Sequence, residues 1–353
     1  MFVDSGSLLF KHKKIQAKKE LAEKTQADGL AAAMQAMNCR ALGIGAHDLA
    51  GGISLLKELQ ERHKTVWLSM NLVDPEKKKP IFTPYLITKV GKLKIALFGL
   101  TDDQGEHNGE GGEKGYTILP WQDTLPKTLA EIGKKVDMTI LLSSYSYQIN
   151  KEIAENVDGL HMILESSHAA PTTEPYKVKN TLIAQTGTRG KYLGMMQIEW
   201  NKASKWTDKS FNRIRTEEDR LERVNRQLAR LEKQKKKAAL AKDKGYKKLS
   251  AEKTQLVKSI KALKKSRDSA SDDEGMCKYT NKFLPLNTSL PEDPEVKKII
   301  NQTIQKVNQI NQKRIAKTGW HDPVITLQDV AGSQKCQECH AAQMTVWQDS
   351  KHA

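Results

Sequence analysis

The amino-acid sequence predicts an α/β layered fold for its first 206 residues, because short apolar runs alternate there with segments of helical periodicity. Apolar runs of about four to eight residues, bounded by turn signals, are typical of buried strands. The predicted strands are 1–4, 41–45, 66–70, 94–100, 138–143, 161–164, 182–186 and 193–200, and the predicted helices are 15–38, 51–63, 123–134 and 148–155. A chain of 353 residues has room for this domain and for further segments.

Residues 207–270 differ in pattern and predict a basic antiparallel coiled-coil hairpin. Two apolar seams with heptad-like spacing are separated by a turn signal at residues 242–245. The seams are Ile214, Leu221, Val224, Leu228 and Leu231, and Leu249, Leu256, Ile260 and Leu263. Residues 271–319 are predicted to be a polar linker and a helix, in which Asp293 is the N-cap and Pro294 the first helical residue.

The formal net charge of the chain is +16, from 58 Lys or Arg residues and 42 Asp or Glu residues. Such a charge favours acidic partners. The excess is concentrated between Arg230 and Arg267, where 15 basic residues accompany three acidic ones. We therefore expect the hairpin to meet an anionic surface or to be a solvated spacer, and we predict no nucleic-acid binding. No apolar run approaches the roughly 18 residues of a membrane span.

Both ends of the sequence suggest a fragment of a longer exported protein. Residues 2–9 resemble a strand that enters a loop, without the basic region and apolar core of a signal peptide before it. The last residues end within a motif. We expect a periplasmic or otherwise extracytoplasmic location, with an export signal upstream of Met1. Cys39 and Cys277 are compatible with buried thiols, free thiols or a disulfide.

Several segments of the first 200 residues match a known family in order and spacing. They are Val3-Asp4-Ser5-Gly6, residues 41–48 (Ala-Leu-Gly-Ile-Gly-Ala-His-Asp), residues 67–72, residues 91–101, residues 136–143 and Gln185-Thr186-Gly187. Over residues 1–200 the chain thereby resembles the 5′-nucleotidase-like calcineurin-type metallophosphatases. The resemblance implies a four-layer α/β/β/α sandwich whose loops hold two metal ions.

The resemblance also places the metal ligands of that family, and this sequence departs from them. The positions concerned are Ser7, Ala46, Ser144, Ser167 and Ala169. Serine and alanine cannot replace carboxylate and imidazole as ligands of divalent cations. We therefore expect a degenerate dinuclear site without a divalent metal. His47 matches the catalytic histidine of the family and is expected to be a weak remnant.

The segment Cys336-Gln-Glu-Cys339-His340 has the spacing of a covalent attachment site for haem c. Two thiols at this spacing bond to the haem, and the adjacent imidazole of His340 ligates the iron. With Trp347 and His352, residues 320–353 resemble the start of a c554-type multihaem cytochrome segment, which implies His352 as a possible axial ligand. A zinc site that uses Cys336, Cys339 and His352, or a redox dithiol, is the alternative.

These observations lead to two functional hypotheses. The first is an exported electron-transfer protein that carries haem c, exchanges electrons with redox proteins and keeps a degenerate phosphatase-like domain as scaffold or docking module. The alternative is a metal-dependent, 5′-nucleotidase-like phosphoesterase with altered ligands and an accessory haem domain. The CxxCH motif and the altered ligand positions favour the first hypothesis, so phosphatase activity is not expected.

Overall fold

The chain, described by a computed structural model, divides into two compact units, residues 1–301 and residues 302–353. The structure describes residues 1–102, 115–166, 173–187, 190–201, 204–207, 211–234, 243–268, 275–317, 340–341, 343–345 and 347. Within these ranges, no helix is long and apolar enough to cross a membrane. Cys39 and Cys277 are both free thiols.

The first sheet has three parallel strands in the order β1-β2-β3, namely Phe2–Asp4, Cys39–Gly43 and Trp67–Leu68. Helices α1 (Glu20–Ala36) and α2 (Ile53–His63) pack against it. The small side chains of Ala27 and Ala31 are fully buried, which lets α1 approach the sheet closely. One apolar cluster joins helices and sheet, and it includes Leu42, Ile44, Leu56, Leu59 and Trp67.

The second sheet has six strands in the order β10-β11-β9-β8-β6-β5. The strands are β5 (Tyr85–Val90), β6 (Leu93–Leu100), β8 (Met138–Ser143), β9 (Met162–Glu165), β10 (Thr173–Val178) and β11 (Thr181–Gln185). The central four are parallel, and β5 and β10 are antiparallel edges. The nearly continuous apolar sequence of β6 and β8 is typical of parallel strands that are covered on both faces.

Two helices pack against one face of the second sheet, α3 (Trp121–Ile132) and α4 (Tyr147–Asn156). Their apolar side chains form a second cluster with that face, and it includes Phe98, Leu125, Leu141, Ile153 and Ile163. A short antiparallel pair, β4 (Leu72–Val73) and β7 (Thr117–Ile118), completes this part of the chain. The predicted α/β class is therefore confirmed.

A third apolar cluster joins the two sheets. Ala41 and Leu68 of the first sheet share it with Leu97, Ile140 and Leu142 of the second. The sheets approach so closely that the N–H of Met70 donates to the carbonyl oxygen of Gly99 at 2.9 Å. Consequently, the carboxyl ends of the parallel strands from both sheets meet in one region.

Strands β12 (Tyr192–Glu199) and β13 (Lys278–Pro285) form an antiparallel ribbon. They pair over eight residues in continuous register, from Tyr192 opposite Pro285 to Glu199 opposite Lys278. The sequence predicts a linker where the structure has β13. Buried and half-buried residues alternate only over its first four positions, where Tyr279 and Asn281 are buried. Pairing with β12 therefore decides its conformation.

Between β12 and β13 the chain forms two long helices, α5 (Phe211–Gln234) and α6 (Lys244–Asp268), which pack against each other. Val224, Leu228 and Leu256 are buried in their shared seam. The ion pair between Lys264 and Glu218 (2.6 Å) and the hydrogen bond from Tyr246 to Glu232 (2.9 Å) link opposite ends of the helices. This arrangement is antiparallel.

The last long helix, α7, spans Pro294–Lys317. Asp293 caps it as predicted, because its Oδ1 accepts the N–H groups of Glu295 (2.9 Å) and Val296 (3.0 Å). In the second unit, His340 is helical and exposed. Met344, in the same unit, is buried.

Candidate functional site

Polar loops follow the carboxyl ends of the parallel strands in both sheets. In the first sheet these are residues 5–10 after β1, residues 44–48 after β2 and residues 69–71 after β3. In the second sheet, Thr101-Asp102 follows β6 and Ser144 follows β8. Open α/β sheets bind ligands at this edge. We therefore take the loops as the candidate functional site.

Asp48 organises the loops of the first sheet, and its carboxylate is fully buried. Its Oδ2 accepts the backbone N–H groups of Ser7 (2.6 Å) and Gly45 (2.8 Å), and its Oδ1 accepts those of Leu8 (2.8 Å) and Leu9 (2.9 Å). Burial raises the pKa of the Asp48 carboxyl, whereas the four N–H donors act in the opposite direction by stabilising the ionised form. One side chain thus holds the loop after β1 against the loop after β2.

Ser7, at a predicted ligand position, lies inside this contact. Its backbone φ is 61°, in the left-handed region that non-glycine residues rarely adopt. A Cβ atom at Gly45 would lie 2.1 Å from the Oγ of Ser7, so only glycine fits opposite this serine. The structure therefore brings Ser7 next to the loop that carries Ala46 and His47.

His47 is half-buried in the same loop. Its Nδ1 lies 3.0 Å from the carbonyl oxygen of Phe10. Because a carbonyl oxygen can only accept, Nδ1 is the protonated nitrogen, and in the neutral ring Nε2 carries the lone pair. The hydrogen bond to Phe10 thus orients the imidazole ring relative to the loop after β1.

A second network ties the strand ends of the two sheets together. Asn71 donates from Nδ2 to the carbonyl oxygen of Thr101 (2.7 Å) and accepts the N–H of Thr101 at Oδ1 (2.8 Å). The hydroxyl groups of Ser69 and Thr101 are 2.7 Å apart. Beside them, Ser144 is buried and accepts the N–H of Asp102 at 2.8 Å. Asn71 is not among the predicted site residues, although a polar residue shortly after a buried strand is a usable signal.

A third polar group lies on the face of the second sheet that α4 covers. Ser143 donates to Oδ1 of Asn150 (2.7 Å), and Asn150 donates to Oε2 of Glu165 (3.1 Å). Burial raises the pKa of the Glu165 carboxyl, and the Asn150 amide opposes this effect. These three side chains are hydrogen-bonded to one another and to the backbone of Tyr145. We assign it a structural role at the end of β9.

Asp4 at the end of β1 gives a pH-dependent prediction. Burial raises the pKa of its carboxyl from 3.8 to about 6. The N–H of Gly6, which donates to Oδ1 at 2.9 Å, partly opposes this shift because it stabilises the ionised carboxylate. The proton is held more tightly in the folded state, so stability is highest below the unfolded pKa of 3.8 and falls as the pH rises through about 6. Asp4→Asn keeps the acceptor for Gly6 and removes the charge.

We expect Asp4→Asn to be more stable than the wild type by about 1–3 kcal/mol near pH 8, after allowance for the partial exposure of the residue. Near pH 4 the two proteins should have the same free energy of unfolding. Urea titrations at several pH values measure the difference. A difference that stays constant across this pH range would contradict the assignment to Asp4.

The remaining predicted site residues lie outside the described ranges. They are Ser167, Ala169, Cys336, Cys339 and His352. Within the part of the chain that is described, no group of three or more His, Cys, Asp or Glu side chains is placed to hold a metal ion. Serine hydroxyls at positions 7 and 144 and a methyl group at position 46 are not the carboxylate and imidazole ligands that divalent cations prefer, and the degenerate two-metal site stays a prediction. Haem attachment at Cys336 and Cys339 stays a prediction.

No protein-family model matches the chain. The trifunctional nucleotide phosphoesterase protein YfkN of Bacillus subtilis is 28% identical over 142 residues, which are 38% of this chain and 10% of that protein. The chain thus spans about a tenth of the length of the curated relative that it matches.

Two solved structures extend this likeness. The calcineurin-like phosphoesterase YfkN from Bacillus subtilis matches with a TM-score of 0.50 and 15% identity, over 88% of this chain and 84% of that chain. The sulfate thiohydrolase SoxB from Thermus thermophilus, in complex with glycerol, matches with a TM-score of 0.50 and 21% identity, over 57% of this chain and 36% of that chain. The chain has the calcineurin-like phosphoesterase fold. The predicted 5′-nucleotidase-like metallophosphatase fold is confirmed at this level.

These comparisons correct the main functional prediction. The curated relative is a nucleotide phosphoesterase and the solved structures share its fold, whereas none is a cytochrome, so the assignment as an electron-transfer protein of the multihaem cytochrome c class is wrong. The expectation that phosphatase activity is absent is also unsupported by these relatives. The error came from the weight given to the motif at residues 336–340, which fixes very few positions, whereas the phosphoesterase match extends over 142 residues.

Proposed function

We propose that the chain is a phosphoesterase that hydrolyses phosphate esters of the nucleotide class. The observation that carries this proposal is the match of 142 residues, 28% identical, to a trifunctional nucleotide phosphoesterase. The fold similarity to a calcineurin-like phosphoesterase over 88% of the chain supports it. Because the chain spans 10% of the curated relative, the substrate class is part of the proposal.

In this proposal the phosphate lies against the loops after β1 and β2, and His47 is the residue that acts on it. Water adds to phosphorus and the P–O ester bond breaks, while protonated Nε2 of His47 gives its proton to the leaving oxygen. The proton lost by the attacking water restores the imidazolium. The hydrogen bond from Nδ1 to Phe10 (3.0 Å) supports this role, because it orients the ring.

The finer architecture is also a proposal. The three apolar clusters support the four-layer α/β/β/α arrangement, with α1 and α2 on one outer face and α3 and α4 on the other. The position of α5 and α6 between the paired strands β12 and β13 supports an arm inserted into the domain. The extracytoplasmic location stays a prediction.

The test is the activity of His47→Asn in the full chain. The asparagine amide can still donate to the carbonyl of Phe10, so the loop is kept, but the group at the position of Nε2 is lost. We expect the rate of phosphate release from AMP and from p-nitrophenyl phosphate to fall about a hundredfold or more. Release of inorganic phosphate is measured with Mn²⁺, with Mg²⁺ and with a chelator.

His63→Asn is the matched control. His63 is also half-buried, but its Nε2 pairs with Asp28 at 2.8 Å on the outer helices, away from the strand ends. It should keep wild-type activity. A wild-type chain that releases no phosphate in any of the three conditions, or a His47→Asn chain as active as the wild type, would contradict the proposal.

A further inference from the structure

The outer face of α6 carries two groups of lysines, one in its first turns and one in its last turns. On a helix with about 100° between successive residues, the seam of Tyr246, Leu249, Leu256, Ile260 and Leu263 covers an arc of about 100°. The opposite arc, about 140° wide, holds six exposed lysines, which we call the lysine row. They are Lys244, Lys247, Lys248, Lys258, Lys261 and Lys265.

The lysine row is long and has one sign of charge. From Lys244 to Lys265 the helix rises about 31 Å at 1.5 Å per residue. The other described side chains on this arc are Ala251, Thr254, Gln255 and Ala262, so no carboxylate lies among these lysines. In the described part of the chain, Glu252 of α6 and Glu218 of α5 lie at the contact between the two helices, where each pairs with a basic residue of the other helix.

The packing of the arm explains why these charges stay on its surface. Glu218 pairs with Lys264 (2.6 Å) and Glu252 with Arg220 (2.7 Å), both at the border of the seam. None of the lysines in the row forms an ion pair with another described residue. A helix needs no such row for its stability, since like charges that lie three or four residues apart repel each other.

We propose that the lysine row docks the arm on a membrane surface that contains anionic lipids. A long helix face whose charges are all positive is complementary to a flat surface that carries diffuse negative charge. The charged residues on the arc are all lysines, whereas paired recognition of individual phosphates by nucleic-acid-binding proteins favours arginine. The arc also has no aromatic side chain on which a base could stack. This inference is independent of the proposed phosphoesterase activity.

The test compares two triple variants of the full chain in sedimentation with vesicles. Lys258→Gln, Lys261→Gln and Lys265→Gln together remove half of the row with a residue that favours helices. The control is Lys77→Gln, Lys78→Gln and Lys79→Gln, which removes the same charge from an exposed turn of the phosphoesterase-fold domain. Circular dichroism checks that the helix content of both variants is unchanged.

We expect the wild type to bind vesicles of phosphatidylcholine with about a third of phosphatidylglycerol, and to lose binding as the salt concentration rises. The partition coefficient should fall at least tenfold in the variant of the row and by less than about twofold in the control, since each lysine near such a surface contributes about fivefold. Wild-type binding that is equal for neutral vesicles, or unchanged in the variant, would overturn the proposal. Tighter binding of a DNA duplex or an acidic protein than of vesicles at the same ionic strength would also overturn it.

Discussion

Replacement of Asp48 by alanine should lower the free energy of unfolding by about 4 kcal/mol or more, a large part of the stability of an ordinary domain. Four backbone N–H groups, those of Ser7, Leu8, Leu9 and Gly45, donate to this buried carboxylate at 2.6–2.9 Å. An alanine leaves all four without their acceptor. Each unsatisfied buried donor costs about 1–3 kcal/mol, and water can reach the less buried ones.

Asp48→Asn should have about half of this effect, because Oδ1 remains an acceptor while Nδ2 faces two N–H donors. Asp158→Asn, in an exposed turn, is the control and should change stability by less than about 0.5 kcal/mol. Urea unfolding followed by tryptophan fluorescence measures the three variants. If Asp48→Ala unfolds within about 1 kcal/mol of the wild type, the carboxylate does not hold the loops together.

The sequence was sufficient for the central strands of the second sheet. β6 and β8 are covered on both faces, so their apolar residues follow one another without interruption and stand out in the sequence. The edge strands β5 and β10 and the ribbon strand β13 were missed. None of the three has the continuous buried run of β6 and β8. Pairing decides each strand instead: β5 and β10 pair with the strands that directly follow them, and β13 pairs with β12, which is distant in sequence.

The candidate site was predictable only in part. The resemblance located Ser7, Ala46 and His47 in one place, and the structure brings their loops together. The sequence could not indicate that Asp48 is the group that joins these loops, because its partners are backbone N–H groups, which every residue carries. The same holds for Asn71, three of whose four hydrogen bonds are to the backbone groups of Thr101 and Leu119 and the fourth to the hydroxyl of Ser69.

A substitution at the contact between the two sheets should also lower the stability of the protein strongly, and Gly99 is the position at which this is tested. A Cβ atom at Gly99 would lie 2.0 Å from the carbonyl oxygen of Leu68 and 2.2 Å from its carbonyl carbon. Backbone atoms cannot rotate away as a side chain can, so β6 and β3 must separate. Separation also breaks the hydrogen bond from Met70 to Gly99 (2.9 Å) and loosens the apolar cluster that joins the sheets.

We therefore expect Gly99→Ala to lower the free energy of unfolding by about 3–4 kcal/mol, from overpacking and the lost hydrogen bond. Gly133→Ala is the control, because its added Cβ would meet only Leu129 side-chain atoms, the nearest at 3.6 Å, and its φ is −55°. That variant should be neutral or slightly stabilising. Gly99 lies next to the strand ends that carry Asn71 and Thr101. Gly99→Ala should therefore also displace the strand-end loops and reduce the rate of phosphate release, whereas Gly133→Ala should leave that rate unchanged. Equal unfolding midpoints for the two alanine variants would mean that the sheets are not held at the close distance found at Gly99.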